Sequence, residues 1–178
     1  MKASLVAIGL VLGLAPATHA EFDWPLGAHL PHHDMAVGVT GGVAFGEADG
    51  RAAITGAAGL DLSYLHGVFG AHLSLSAFPE RTGVRVQPLA EVTFWYVALF
   101  GAGVSVAPMV GEVPDGVPAT AVALHALLAL PIPLWSPDGS GTFVIVPFAR
   151  PGLRLGPRSA VTGHHTVGLM LKWTSFGF

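Results

Sequence analysis

Residues 35–46 read MAVGVTGGVAFG. The odd positions hold Met35, Val37, Val39, Val43 and Phe45, with Gly41 among them, and the even positions hold Ala36, Gly38, Thr40, Gly42, Ala44 and Gly46. Side chains of an extended chain point alternately to opposite faces, so this stretch makes a strand with one bulky apolar face and one face of small residues. After the turn sequence Glu47-Ala48-Asp49-Gly50 the alternation resumes in a new phase, with Ile54, Leu60, Leu62 and Tyr64 opposed to Arg51, Thr55, Gly59, Asp61 and Ser63.

Six further runs follow. Residues 66–78 set Phe69, Leu73 and Leu75 against His66, His72, Ser74 and Ser76, and residues 84–96 set Val84, Val86, Val92, Phe94 and Tyr96 against Arg85, Gln87, Glu91 and Thr93. Residues 97–110 set Phe100, Val104 and Val106 against Gly101, Gly103 and Ser105; residues 119–134 set Val122, Leu124, Leu128 and Leu130 against Ala121, Ala123, His125 and Ala129. The last two runs, 142–155 and 164–178, oppose Phe143, Ile145, Leu153 and Leu155 to Thr142, Arg150, Gly152 and Arg154, and Val167, Leu169, Leu171 and Trp173 to His164, Thr166, Gly168 and Lys172. Eight alternating runs fit membrane strands of about 10 residues joined by turns.

Composition decides between a membrane barrel and a soluble sandwich. The chain is 52% hydrophobic and 11% charged, with a mean hydropathy of +0.62, whereas a soluble domain carries about 25% charged residues. The less greasy face of a sandwich meets water and is rich in Lys, Glu and Thr. Here it is mostly Gly, Ala, Ser and Thr, which suits the interior of a narrow closed barrel. Closure also pairs the sheet edges that lipid could not satisfy. The expected fold is therefore all-β, an eight-stranded antiparallel up-and-down transmembrane β-barrel. Two uncharged stretches, Val92 to Gly111 and Gly116 to Pro137, have the length of membrane helices of about 20 residues. Pro118, Pro131, Pro133 and Pro137 in one, and Gly101, Gly103 and Pro108 among β-branched residues in the other, oppose that assignment.

The aromatic residues cluster by strand end. In an even-stranded barrel with both termini on one side, Tyr64, Trp95, Tyr96, Trp135 and Trp173, with Phe100, Phe143 and Phe176, fall toward the terminal side, and Trp24 precedes the first strand. An interfacial girdle places them so.

Residues 1–20 read MKASLVAIGLVLGLAPATHA: one Lys, an apolar stretch from Leu5 to Ala15, then a small-residue exit at Thr18-His19-Ala20. This pattern predicts a secretory signal peptide over 1–20, an N-terminal tail over 21–34 on the periplasmic side, and a barrel over 35–178. With no cysteine, disulfides, thiolate metal sites and lipid attachment are excluded. A net charge of −3 and the absence of Gly-rich phosphate loops and basic aromatic patches give no basis for nucleic-acid binding.

The alternating strands, the signal sequence and the ending Lys172-Trp-Thr-Ser-Phe-Gly-Phe178 resemble the small eight-stranded outer-membrane barrels of Gram-negative bacteria, the OmpA-transmembrane-domain and OmpX type. The resemblance covers Met35 to Phe178 and, apart from Phe178, is one of pattern. It implies an outer-membrane location, a monomer in contact with outer-membrane lipids and lipopolysaccharide, and recognition by the outer-membrane assembly machinery through Phe178. In the last run the outward residues are odd while Phe176 and Phe178 are even, which calls for a bulge or an irregular end.

The inward face carries the chemistry. Counting depth along each strand puts His72, Glu91, His125, Arg150 and Lys172 near mid-height. Isolated charges there are costly, so these five are expected to form an ion-pair network that fills the lumen. Five inward cations, Arg51, Arg85, Arg150, Arg154 and Lys172, face two carboxylates, Asp61 and Glu91. Asp61 counts toward the terminal side, which leaves Glu91 as the expected partner of both Arg150 and Lys172. No catalytic residues, metal or cofactor are expected: the protein reads as a non-enzymatic envelope barrel. Two alternatives attach to particular residues. Lipid A deacylases are similar in gross architecture, and His72-Leu73-Ser74 with Glu80 has the residue types of their site, though His72 and Ser74 point to the lumen. His29, His32 and His33 in the tail have the donor chemistry for a divalent metal.

Overall fold

The computed structural model describes residues 33–48, 51–80, 82–96, 98–113, 118–135, 141–155 and 161–175. Its elements, all strands, are β1 (Asp34–Ala48), β2 (Arg51–His66), β3 (Phe69–Glu80), β4 (Gly83–Trp95), β5 (Leu99–Gly111), β6 (Thr120–Ala129), β7 (Ile132–Trp135), β8 (Thr142–Arg150), β9 (Gly152–Leu155) and β10 (Val161–Thr174). Among the described residues no helix is long and apolar enough to cross a membrane.

Ten elements make eight staves. β6 and β7 are one stave interrupted at Leu130-Pro131, and β8 and β9 are one stave interrupted at Pro151. The pairing register runs unshifted across both breaks, from Val122↔Leu155 through Leu128↔Ala149 to Ile132↔Ile145. The backbone amides of Ala126 and Leu130 donate to Pro151 O at 2.9 Å and Pro147 O at 3.0 Å, so the interruptions leave those groups bonded. Pro88 and Pro108, which lack an N–H, lie together in one gap of the β4–β5 ladder, between the pairs Arg85↔Met109 and Leu89↔Ser105.

Consecutive staves pair antiparallel, and β1 pairs with β10 from Ala36↔Thr174 to Gly46↔His164, so the sheet returns on itself. This is the eight-stranded antiparallel barrel. Both described termini, His33 and Ser175, lie at one end, called here the terminal end. Asp34 belongs to β1 rather than to the tail, and its carboxylate accepts from Thr174 Oγ1 at 2.6 Å and Ser175 Oγ at 2.7 Å, tying the two chain ends together.

The faces follow the alternation. Val39, Ile54, Leu60, Val92, Val104, Leu124 and Leu169 are outward and exposed, up to 77% for Ile54. A soluble monomer rarely exposes a contiguous apolar surface of this kind, and a closed sheet with every stave greasy outside belongs in lipid. Inside, a small apolar cluster of Leu127, Val144, Val146, Phe148 and Met170 shares the lumen with many buried polar groups. At the terminal end Trp135 stacks on Phe143, with ring centroids 5.8 Å apart, and Phe143 meets Trp173 edge-on at 4.8 Å. Trp95 departs from the expected girdle: it follows Glu91 and Thr93 on the inward parity of β4 and lines the lumen. Trp24, Phe176 and Phe178 lie outside the described residues, as does the register of the last residues.

Candidate functional site

The lumen is organised in layers. Near mid-height a chain of charged side chains runs from Lys172 to Asp61, from Asp61 to His72, from His72 to Glu91 and from Glu91 to Arg150. Arg150 reaches Glu91 as a fork: Nε donates to Oε1 and Nη2 to Oε2, each at 3.0 Å. His72 Nδ1 lies 2.6 Å from Glu91 Oε2, and its Nε2 contacts Asp61 Oδ2. Lys172 Nζ contacts Asp61 and donates to Ser63 Oγ at 2.7 Å. All five side chains are buried.

Local sequence makes room for this chain. A Cβ on Gly103, the β5 partner of Glu91, would stand 2.5 Å from Glu91 Cγ, and one on Gly38, the β1 partner of Lys172, would stand 2.8 Å from Lys172 Cγ. The small inward residues noted in the sequence are thus the space into which long polar side chains from neighbouring staves fold.

Toward the other end lies a second layer. Gln87 Nε2 donates to Ser105 Oγ at 2.5 Å, and Ser105 Oγ meets His125 Nε2 at 2.7 Å. Beyond it Arg85 forks onto Glu80, with Nε to Oε1 at 2.6 Å, and donates from Nη1 to Ala107 O at 2.9 Å. Arg154 Nη2 lies 3.2 Å from His164 Nδ1. Space remains beside Ser74, Gln87 and Arg150, about 10 Å³, and at the terminal end, below Lys172, about 90 Å³.

Of the five expected network residues, His72, Glu91, Arg150 and Lys172 join one chain, while His125 sits apart with Gln87 and Ser105. The partner expected for Lys172 is corrected: it is Asp61, not Glu91. The reason is shear. Depth counted along a single strand ignores the stagger between tilted neighbours, and the register sets Asp61 opposite Gly38, itself opposite Lys172. Glu80, placed outside the lumen by the sequence pattern, is a further anion there, paired with Arg85. The signal was present, since Glu80 and Arg85 flank a tight β3–β4 turn, where Pro79↔Val84 and Glu80↔Gly83 are the last pairs. The Arg51 side chain lies outside the described residues.

The hydrolase alternative does not assemble. Both ring nitrogens of His72 are occupied by Asp61 and Glu91, Glu80 holds Arg85, and Ser74 is buried in the lumen with its Oγ unpartnered among the described atoms. His29 and His32 lie outside the described residues. His33 Nδ1 lies 2.7 Å from Tyr64 Oη and 3.3 Å from His66 Nδ1. Among the described residues no group of three or more His, Cys, Asp or Glu could hold a metal ion.

No protein-family model matches the chain, and no curated protein matches it significantly. Among solved structures, the crystal structure of Neisserial surface protein A matches with a TM-score of 0.55 at 11% identity, over 81% of this chain and 97% of that one. At that identity the likeness shows the fold: the chain resembles small eight-stranded outer-membrane barrels in architecture.

Proposed function

We propose that the protein is a non-enzymatic outer-membrane barrel of a Gram-negative envelope whose lumen is plugged by its own side chains. The observation that carries this is the unbroken chain Lys172–Asp61–His72–Glu91–Arg150, which crosses the interior with every member in contact with the next. Such an interior is a poor pore and a poor active site, because the groups that could do chemistry are committed to one another and screened from substrate. Its use is to make a narrow barrel rigid and impermeable while the apolar exterior meets lipid.

In this proposal residues 1–20 are the export signal and residues 21–33 lead into the barrel from the periplasmic side, so the terminal end is periplasmic. The mature protein acts as a monomer among outer-membrane lipids and lipopolysaccharide, and Phe178 addresses it to the assembly machinery. At the opposite end only residues 49–50 and 81–82 separate the first two strand pairs, which leaves little for a receptor loop. Expression in a Gram-negative host, fractionation, and gels of boiled and unboiled samples test the proposal. Recovery in the outer membrane with heat-dependent migration is the expected outcome, and recovery as soluble periplasmic protein overturns it.

A further inference from the structure

The void of about 90 Å³ at the terminal end is built differently from the rest of the lumen. Its lining is mostly apolar, with Ala36, Leu65, Trp95, Leu99, Val144 and Val146 on it, and the polar Ser63, Tyr64, Thr93 and Thr174 border it. Its inner limit is Lys172, whose ammonium is already committed to Asp61 and Ser63. The buried polar atoms left without a partner among the described residues, Ser74 Oγ, His125 Nδ1 and His164 Nε2, do not line it. The pocket is open on one side, and covering its mostly apolar wall removes apolar surface from water. The walls therefore favour hydrocarbon over water.

Size and charge narrow the guest. An engineered cavity of about 150 Å³ takes a benzene ring, and a water-sized group claims about 30 Å³, so this void suits three or four carbons of a linear chain better than a ring. Asp34 lines the outer part, and its carboxylate is met there by the neutral hydroxyls of Thr174 and Ser175. A carboxylate met by neutral hydroxyls keeps lone pairs for a further donor, so the complementary head group is a cation with N–H donors.

We infer that the terminal-end cavity is a binding site for a short linear alkylammonium: chain against Trp95, Val144 and Val146, ammonium on Asp34. This goes beyond the proposed function, which needs only a closed lumen. It also gives the inward turn of Trp95 a use, as a rigid flat wall for the chain.

Trp95 supplies the readout. A variant in which Trp24, Trp135 and Trp173 are replaced by Phe keeps Trp95 as its one indole and is reconstituted in phosphatidylcholine nanodiscs. It is titrated with ω-bromobutylammonium, whose bromine quenches nearby indole, and with ω-bromobutyrate. Heat-dependent gel migration confirms that each variant is folded. The expected result is saturable quenching by the ammonium, about tenfold weaker for the carboxylate and for Asp34→Asn, a change of about 1.4 kcal/mol. Ala36→Leu, which fills the cavity, should abolish saturation. The inference is overturned by non-saturable quenching, by equal quenching in Ala36→Leu, or by equal affinity for the two probes. Saturation that appears only when residues 21–32 are deleted also overturns it, since the tail would then be the occupant.

Discussion

Replacing Glu91 by Ala removes the shared anion of the lumen chain. Arg150 loses both arms of its fork, each 3.0 Å long, and His72 loses its 2.6 Å contact. Breaking a buried pair from one side costs about 3–5 kcal/mol, because the remaining charge is desolvated without a counter-ion. The cation–π contact of Arg150 with the Phe148 ring, at 5.1 Å, is present with or without Glu91 and so leaves the difference unchanged. A loss of about 3 kcal/mol is therefore expected by urea unfolding in liposomes, against about 0.5 kcal/mol or less for Glu112→Ala, an exposed residue past the end of β5. The double variant Glu91→Ala with Arg150→Ala removes both charges. Its cost should fall short of the sum of the single variants by about 2 kcal/mol, the signature of direct coupling. A Glu91→Ala variant as stable as Glu112→Ala, or additive costs in the double variant, would refute the paired lumen.

Asp61→Ala should cost about 3 kcal/mol by the same assay, since it strands Lys172 in the same way; a much smaller loss than for Glu91→Ala would return Lys172 to Glu91 as its partner. Gly103→Val should prevent refolding into the heat-resistant form or destabilise it by more than about 2 kcal/mol, because its Cβ would already stand 2.5 Å from Glu91 Cγ. Purified protein in planar bilayers should show no steady conductance, given the layers at Lys172–Arg150, Gln87–His125 and Arg85–Glu80; sustained open-channel current would contradict the plugged lumen.

Much of this architecture was legible in the sequence because a period of two is dictated by the extended backbone itself. The outward sets around Val39, Val92, Val104, Leu124 and Leu169 follow from alternation, and so does the inward aim of His72, Glu91, Arg150 and Lys172. Pairing was less legible. Which anion serves Lys172 depends on stagger between β10, β1 and β2, a property of barrel closure that no single strand encodes. His125 lies on the face that alternation gives it, but its partners Gln87 and Ser105 are one layer removed from Glu91, a matter of stagger between staves. Trp95 misled because its type suggests an interfacial residue while its parity, shared with Glu91 and Thr93, sends it inward; parity is the stronger constraint, since a one-residue slip would expose the whole polar set of β4 to lipid.

The central claim is that β1 and β10 close the sheet in the register that sets Val39 opposite Leu171. The cysteine-free chain allows a clean test. Directly opposed antiparallel residues have Cα atoms about 4.5–5.5 Å apart, within the span of a disulfide. Cysteines at Val39 and Leu171 should cross-link within one chain on mild oxidation in the membrane, and the linked protein should migrate differently from its reduced form after boiling. Cysteines at Val39 and Val167, four residues out of register, should not. Failure of the first pair under conditions where the second forms, or where links appear only between chains, would contradict the closed barrel.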